Sequence, residues 1–492
     1  MAVTHVLQSH AQQTPEAIAI HFEGRDWTYL ELYTKAKRVA DYLTKRGYKK
    51  GDVVAQFMLN SDRFLVAYYG VQLAGLTVMP VNTKLAPPEV AYIFEHSQAK
   101  VLIADERLYD VVLSTEPNFE EMIWNGLFEA IMEDENQETL PLVEVNEEDT
   151  AVIMYTSGTT GKPKGVMLSH ENILATAEIW SESMNLSATD RTFICTPLFH
   201  CAGSHVFAVP TMLKGGAVLV DEAFSPDKTL AQIVETKATI FFGVPAMYTI
   251  LLSKPELATF SFEQLRLFCY GAAPMPYELI RRLKDTFPQV KVQNLYGQTE
   301  NSPATSSLLD DEALIKIGSV GRPLARTQIK LISANGEEVP TGEVGEICVK
   351  GPQVMQGYLR APEETSKSVV DGWLYSGDLG RFDEEGFLYI VDRKKDMIIR
   401  GGENIYPIEV EEVLYQIPEI LEAAVIGFPH EVYGEVAKAF VVLKDEEHVT
   451  EQQVLDYCKT QLAKYKVPHE IDFIEQLPRN ASGKVLKHTL RV

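Results

Sequence analysis

Two kinds of apolar pattern alternate along this 492-residue chain from residue 28 onward. Leu32, Ala36, Val39 and Leu43 recur at the spacing of one α-helical face, and the run VVAQFML at 53–59 is typical of a buried strand. RFLVAYYGVQLAG is helical again, whereas TVMPV and KVLIA indicate further strands. Strands that alternate with helices predict an α/β fold with parallel sheets covered by helices.

The length and two changes of pattern predict more than one domain. Single hydrophobic cores stop growing at about 250–300 residues, so a chain of this length divides. Short strand-like segments with turns begin after about residue 320, and a small α+β pattern follows Asp392, with helices expected at 408–415 and 451–462. We predict a large N-terminal domain with a β-rich subdomain, residues 1–392, and a small C-terminal domain, residues 393–492.

Composition excludes several classes of partner. A net charge of -24 argues against broad binding to nucleic acid or to an anionic membrane surface. Five cysteines without a CxxC pair predict reduced thiols rather than a disulfide framework or a zinc site. The first residues lack a signal-peptide pattern and we find no apolar run of about 18 residues, so a cytoplasmic enzyme without a transmembrane segment is expected.

The segment 108–161 lacks Lys and Arg and is rich in acidic residues. We interpret it as a solvated, linker-like face rather than a binding tail. At its end, YTSGTTGKPKGV (155–166) combines glycines, hydroxyl residues and two lysines. A Walker A loop would place a Ser or Thr after the lysine, but Pro163 follows Lys162 and the loop is short, which disfavours a P-loop kinase or ATPase. The donors that remain can wrap the β- and γ-phosphates of a nucleotide.

This stretch resembles the signature of the adenylate-forming superfamily, which contains acyl-CoA synthetases, the adenylation domains of peptide synthetases and beetle luciferases. The other motifs of that superfamily follow in order over nearly the whole chain. They are PLFH ending at His200, YGAAP at 270–274, YGQTE at 296–300, YSGDLG at 375–380, DRKKDMIIRGGENIYPIEVE at 392–411 and PRNASGKVLK at 478–487. The resemblance implies a ligase that converts an acid to acyl-AMP with ATP and then to a thioester with coenzyme A.

The resemblance also implies roles for single residues in binding ATP and magnesium. Glu300 would bind Mg²⁺, since one carboxylate with phosphate oxygens and waters is a normal magnesium shell. Tyr296 would stack on adenine, and Gly271 and Ala272 would let the backbone approach the base. Asp378 would accept both ribose hydroxyls, and Arg393 would support ribose and phosphate. The remaining residues implied in nucleotide binding are Thr156, Ser157, Gly158, Thr159, Thr160, Gly161, Lys162, Lys164, Gly297 and Thr299.

Two half-reactions would share this site through a mobile C-terminal domain. The resemblance implies that the domain rotates about Lys395 and brings Lys484 into the site for adenylation. A face with Gly401 and Gly402 would then replace it, where glycines let the pantetheine arm of coenzyme A pass close to the backbone. His200 would lie beside the acyl carboxylate and gate the two steps.

The identity of the acid depends on three apolar segments, FHCAGSHVFAVP (199–210), FFGVPAMYTI (241–250) and YGAAPM (270–275). They favour a hydrocarbon tail over a dicarboxylate, so we predict a medium- or long-chain fatty acid. An aryl acid of the coumarate or o-succinylbenzoate type is the alternative, and a homodimer is left open. A peptide-synthetase domain is disfavoured because no carrier domain follows, and a non-catalytic nucleotide-binding relative is disfavoured because Lys484, Glu300 and Asp378 are all present.

Overall fold

The computed structural model describes residues 2–156, 162–273, 275–394, 396–401, 403–444, 448–479 and 485–491. The chain forms two compact units. The first comprises residues 1–317, 322–329 and 349–374, and the second comprises residues 318–321, 330–348 and 375–492. The domain boundary expected at residue 392 stays a prediction.

Helices and strands alternate through most of the chain. The α-helices are α1 Val3–Gln13, α2 Tyr29–Lys45, α3 Asp62–Leu73, α4 Pro87–Ser97, α5 Tyr109–Ser114, α6 Asn125–Glu133, α7 His170–Ser183, α8 Val209–Leu213, α9 Thr229–Glu235, α10 Pro245–Ser253, α11 Tyr277–Thr286, α12 Pro362–Ser368, α13 Pro407–Leu414 and α14 Glu451–Gln461. A π-helix spans Ala202–Ala208, and short 3₁₀ helices include Thr299–Asn301 and Lys487–Leu490.

The strands fall into the sheets described below. They are β1 Ile18–Phe22, β2 Arg25–Thr28, β3 Val53–Phe57, β4 Thr77–Pro80, β5 Val101–Ala104, β6 Glu121–Trp124, β7 Thr150–Thr156, β8 Lys164–Ser169, β9 Arg191–Ile194, β10 Ala217–Val220, β11 Ile240–Gly243, β12 Leu267–Gly271, β13 Lys291–Tyr296, β14 Ser306–Leu308, β15 Ser319–Pro323, β16 Gln328–Ile332, β17 Gly345–Lys350, β18 Gly357–Tyr358, β19 Val369–Val370, β20 Trp373–Phe382, β21 Leu388–Arg393, β22 Ile398–Arg400, β23 Glu403–Ile405, β24 Ile420–His430, β25 Gly434–Leu443 and β26 Glu470–Phe473.

Helix α2 shows how the local sequence sets the fold of the first unit. Thr28 and Glu31 form a capping box in which each side chain accepts the backbone N–H of the other residue. The predicted apolar face, including Leu32 and Val39, is fully buried. Helix α3 lies so close to it that a Cβ at Gly70 would be 2.7 Å from the Val39 Cβ. The predicted alternation of strands and helices is confirmed here.

Two largely parallel sheets form the first unit. One has the strand order β18-β8-β7-β4-β3-β5-β6, with parallel pairs from β7 to β6 and antiparallel pairs at β7-β8 and β8-β18. The other runs β14-β13-β12-β11-β9-β10-β1-β2 and is parallel from β13 to β1. The predicted α/β class with parallel sheets is therefore confirmed, and the carboxyl ends of β12 and β13 meet at one edge.

The linker-like interpretation of 108–161 is wrong for most of that segment. It contains α5, β6, α6 and β7, and Phe128 and Ile131 of α6 are buried in the core. Residues 115–120 and 134–149, all of them described, are the parts without a helix or strand. The acidic runs at 133–138 and 146–149 lie almost wholly in the second of these loops, whereas the apolar spacing of α6 was the better signal for the helix before it.

The second unit is α+β. Its strands include the order β16-β17-β20-β21-β15, antiparallel at β20-β21 and β21-β15, and an antiparallel sheet β23-β22-β25-β24, with β26 parallel to β25. Helices α13 and α14 coincide with the helices expected at 408–415 and 451–462 and pack over Val425, Val441 and Ile471. The small α+β C-terminal pattern is confirmed.

Within the described ranges, no helix combines the length and the apolar character needed to cross a bilayer. The five cysteines are buried free thiols.

Candidate active site

The predicted phosphate loop connects two antiparallel strands. β7 ends at Thr156 and β8 begins at Lys164, and these two residues are register partners. A Walker A loop instead leads from a strand into the N-terminus of a helix, so the observed geometry agrees with the failed Walker spacing. Ser157, Gly158, Thr159, Thr160 and Gly161 lie outside the described residues, and their role stays a prediction.

Both lysines of the loop lie over aromatic rings. The Nζ atom of Lys162 is 5.2 Å from the centroid of the Tyr92 ring, and that of Lys164 is 5.0 Å from the centroid of the Tyr358 ring. An aromatic face attracts an ammonium group without neutralising its charge. Two positive charges are thus held at the end of the loop in which phosphate binding is predicted.

Glu300 lies in the 3₁₀ turn Thr299–Asn301 that follows β13. The Tyr358 hydroxyl donates a hydrogen bond to Glu300 Oε1 over 3.0 Å, and the backbone N–H of Met355 donates to the Glu300 carbonyl over 2.8 Å. The turn ends on Ser302, whose φ of 56° is in the left-handed region. A segment distant in sequence therefore holds both the side chain and the main chain of Glu300.

His200 lies just before the π-helix, close to the turn with Glu300. The backbone N–H of Ala202 donates to His200 Nδ1 over 3.2 Å, so a neutral His200 carries its proton on Nε2. The next residue, Cys201, has its sulfur 3.4 Å from Thr299 Oγ1. Burial raises the pKa of the Cys201 thiol, but His200 and Thr299 outweigh that effect, and the net pKa is below its ordinary value. The structure thus brings together His200 and Thr299, two residues singled out from the sequence.

The residues expected around adenine follow adjacent parallel strands. Gly271 ends β12 and pairs with Leu295 of β13, next to Tyr296. A Cβ at residue 271 would lie 2.4 Å from the Leu295 carbonyl oxygen, and one at Gly297 would lie 2.4 Å from the Pro303 carbonyl oxygen. Both glycines are therefore required by neighbouring backbone, whether or not adenine approaches Gly271. Ala272 has a φ of 65°, and Tyr296 is half-buried; their contacts with a base stay predictions.

Three residues of this region carry chemistry that the motifs did not reveal. They are Tyr358, Cys201 and His205. His205 is fully buried, with Nε2 3.1 Å from the Tyr68 hydroxyl and Nδ1 3.1 Å from Ser302 Oγ. Burial, reinforced by the charge of His200, lowers the pKa of His205 to about 3, so the ring is neutral near pH 7. It links α3 to the turn after Glu300 as a satisfied core histidine.

Asp378 and Arg393 are partners in the second unit. They are register partners on β20 and β21, and Arg393 Nε lies 3.3 Å from Asp378 Oδ1. Asp378 is buried and Arg393 is partly exposed. Lys394 continues the strand, with its backbone N–H bound to the Gly377 carbonyl and its Nζ 2.8 Å from Glu346 Oε2. The pair can present one carboxylate and one guanidinium side by side; that it binds ribose stays a prediction.

The structure describes only some of the residues expected to take part in rotation of the C-terminal domain. Gly401 has a φ of 60° and donates its N–H to the Tyr433 carbonyl over 2.8 Å, so a turn requires a small residue there. Lys395, Gly402 and Lys484 lie outside the described residues, and their roles stay predictions.

Asp392, which precedes Arg393, is a buried carboxylate that should make the stability of the second unit depend on pH. It is 1% exposed, and its oxygens accept the backbone N–H groups of Arg393 and Ile408. Burial raises its pKa to about 6 although Lys487 and these N–H groups oppose the shift. The folded state then holds the proton more tightly than the unfolded chain, so stability falls as pH rises from about 4 to about 6.

We therefore expect Asp392→Asn to reduce the pH response of unfolding. When the pH is lowered from about 8 to about 5.5, the free energy of unfolding of wild type should increase by about 1 kcal/mol more than that of the variant. Denaturant unfolding of both proteins at the two pH values measures this difference. Equal gains in both proteins would contradict the assignment to Asp392.

The donor set fits a magnesium ion held jointly with a nucleotide. In the parts of the chain that the structure describes, no group of three His, Cys, Asp or Glu side chains could hold a metal without other ligands. Mg²⁺ commonly takes one or two carboxylates and completes its shell with phosphate oxygens and waters. Glu300 accepts a hydrogen bond from Tyr358, whose ring contacts Lys164, and it would provide that single carboxylate.

Comparisons with known proteins agree with this arrangement. The AMP-binding enzyme family matches residues 7–359, and the AMP-binding enzyme C-terminal domain matches residues 409–484. A feruloyl-CoA synthase from an Amycolatopsis species is 38% identical over 98% of this chain and 96% of its own length. The long-chain-fatty-acid–CoA ligase FadD13 of Mycobacterium tuberculosis is 38% identical over 94% of this chain and 92% of its own length.

A solved structure with bound ligands is also similar to this chain. The o-succinylbenzoate coenzyme A synthetase of Bacillus subtilis in complex with ATP and magnesium superimposes with a TM-score of 0.88 at 34% identity, covering 99% of this chain and 98% of that chain. Family matches, relatives and structure together cover both units. The chain therefore belongs to the AMP-binding enzyme family and is an adenylate-forming enzyme of the acyl-CoA synthetase group.

Proposed function

We propose that this protein is an AMP-forming acid–CoA ligase. A carboxylate oxygen of the acid attacks the α-phosphorus of ATP and pyrophosphate leaves; the sulfur of coenzyme A then attacks the acyl carbon and AMP leaves. The observation that carries this proposal is the joint placement of Lys164, Tyr358 and Glu300, because a cation and a metal-binding carboxylate are held together at the end of the phosphate loop. Bound magnesium supplies further positive charge for the phosphates.

The chain's own residues have distinct tasks in this proposal. Lys162 and Lys164 bind and orient the phosphates, since positioning and positive charge dominate phosphoryl-group chemistry. His200 can donate from Nε2 to the acid's carboxylate, because its Nδ1 already accepts the Ala202 N–H. Asp378 and Arg393 bind the ribose and α-phosphate side of the nucleotide. Lys484 serves the first half-reaction, and the face with Gly401 and Gly402 serves the second.

A medium- or long-chain fatty acid is the substrate that the predicted pocket segments favour. The π-helix contributes buried Val206, Phe207 and Ala208, and the Phe207 ring lies 4.8 Å from the Phe242 ring of β11. Gly243 of β11 in turn pairs with Tyr270 of β12, the strand that ends at Gly271. Three segments chosen from the sequence as pocket walls thus pack together with apolar side chains, which suits a hydrocarbon tail.

An aryl acid is the second candidate. The relatives support both choices, because feruloyl-CoA synthase and a long-chain-fatty-acid–CoA ligase are equally identical to this chain.

A panel of acids should separate the two candidates. Pyrophosphate release that depends on ATP and coenzyme A is measured with each acid in turn. The acids are acetate, octanoate, palmitate, benzoate, coumarate, ferulate and o-succinylbenzoate. For a fatty-acid enzyme, kcat/KM should rise by up to ~10-fold for each two methylenes until the pocket ends, at about 0.8 kcal/mol per buried CH₂. No gain with alkyl length, together with a strong preference for an aryl acid, would favour the second candidate.

A further inference from the structure

Tyr358 of strand β18 lies where that strand meets the start of β8 and the turn with Glu300. It belongs to the two-residue strand β18, which pairs with β8 so that Tyr358 faces Val166. The backbone N–H of Leu359 donates to the Gly165 carbonyl over 2.7 Å. The strand that leaves the phosphate loop is therefore tied to residues 357–359 immediately after Lys164.

The same segment holds the carboxylate of Glu300. Met355 binds the main chain of Glu300, and the Tyr358 hydroxyl binds Oε1 of its side chain. Tyr358 is only 9% exposed. An ordinary phenol keeps its proton near pH 7, so the hydroxyl can donate it in the hydrogen bond to Glu300.

The ring of Tyr358 contacts a positive charge. Lys164 Nζ lies over its face, while its hydroxyl reaches Glu300. One side chain thus contacts a cation with its ring and an anion with its tip.

We propose that Tyr358 is a positioning residue that fixes the Glu300 carboxylate relative to the Lys164 ammonium before magnesium and ATP bind. This inference rests on the proposed function and assigns a role to a residue that none of the recognised motifs contains. A carboxylate whose rotamer is fixed in advance loses less side-chain entropy when it binds a metal. Hydrogen-bond partners of metal ligands typically contribute 10- to 100-fold to metal affinity or activity.

Tyr358→Phe tests the inference because it removes the hydroxyl and keeps the ring over which Lys164 lies. We expect the magnesium concentration for half-maximal pyrophosphate release to rise about 10-fold, with a smaller change in kcat at saturating magnesium. Binding of Mn²⁺ in the presence of ATP and without acid, followed by electron paramagnetic resonance, should weaken by a similar factor. This second readout needs no turnover.

Tyr29→Phe is the matched control. Tyr29 is also buried, and its hydroxyl donates to the Gly216 carbonyl over 2.7 Å, away from all residues assigned to the site. The control should lose stability as Tyr358→Phe does, but keep the wild-type response to magnesium and Mn²⁺. Equal metal responses in wild type, Tyr29→Phe and Tyr358→Phe would overturn the positioning role and leave Tyr358 a core residue.

Failure of the proposed function gives a different result. Wild type would then release no pyrophosphate with any acid in the panel, whereas the Mn²⁺ titration would still compare Tyr358→Phe with wild type. Weaker Mn²⁺ binding in the variant would support the positioning role even then, and unchanged binding would overturn it.

Discussion

Lys484→Ala should slow acyl-AMP formation by ~10² to 10³-fold, the usual loss when one donor to a developing charge is removed. The lysine would bridge the acid's carboxylate and the α-phosphate in the adenylation state only. The residues on either side are fastened within the second unit: Arg479 and Val485 form an antiparallel bridge, and Lys487 Nζ is 2.7 Å from Glu411 Oε1. Loss of one side chain at 484 should therefore leave stability nearly unchanged, within about 0.5 kcal/mol.

The two half-reactions must be measured separately to test this division of labour. Acid-dependent pyrophosphate release reports adenylation, and thioester formation from supplied acyl-AMP reports the second step. Lys484→Ala should keep nearly the wild-type rate in the second step, and Gly402→Leu should impair only that step by obstructing the thiol. Lys464→Ala, an exposed lysine of the same unit, is the control and should leave both rates unchanged. Equal impairment of both steps by Lys484→Ala would contradict the rotation.

Glu300→Gln should lower adenylation by about 10²-fold at a fixed, moderate magnesium concentration. The amide keeps the size of the side chain and can still accept the Tyr358 hydroxyl, so packing at the turn is preserved. It removes the negative charge that binds a hard cation. Raising the magnesium concentration should recover part of the lost rate, which a purely structural lesion would not do.

The surface residue Glu263 offers a control for the change of charge. Glu263 is exposed and belongs to the same unit. The Glu263→Gln variant should respond to magnesium as wild type does. A Glu300→Gln enzyme with the wild-type magnesium dependence would show that Glu300 holds no metal.

The parallel sheets could be predicted because their cause is local. Residues such as Val39 in α2 and Val54 in β3 report burial through their spacing alone, and strand–helix alternation then dictates parallel pairing. Strand order was not predictable, because the pairing of β1 with β10 depends on contacts across some 200 residues, for example Ile20 with Val218. The error over 108–161 arose because acidic composition was given more weight than the apolar spacing of Phe128 and Ile131.

The candidate site likewise contains residues that the sequence could predict and residues that it could not. His200, Glu300 and the loop lysines stood out because each lies in a motif. Tyr358 and His205 did not, since their roles come from partners far away in sequence, Glu300 for the first and Tyr68 for the second. The glycines show a further limit: the sequence marks Gly271 as special, but only the structure shows that the Leu295 carbonyl is the atom that excludes a side chain.

The central claim, that the acid is activated by bonding to the α-phosphorus of ATP, has a direct isotopic test. An acid with both carboxylate oxygens replaced by ¹⁸O is incubated with ATP, magnesium and coenzyme A, and the products are examined by mass spectrometry. Attack on the α-phosphorus predicts one ¹⁸O in each AMP, one in each acyl-CoA and unlabelled pyrophosphate. ADP as the nucleotide product, with ¹⁸O in inorganic phosphate, would contradict the account.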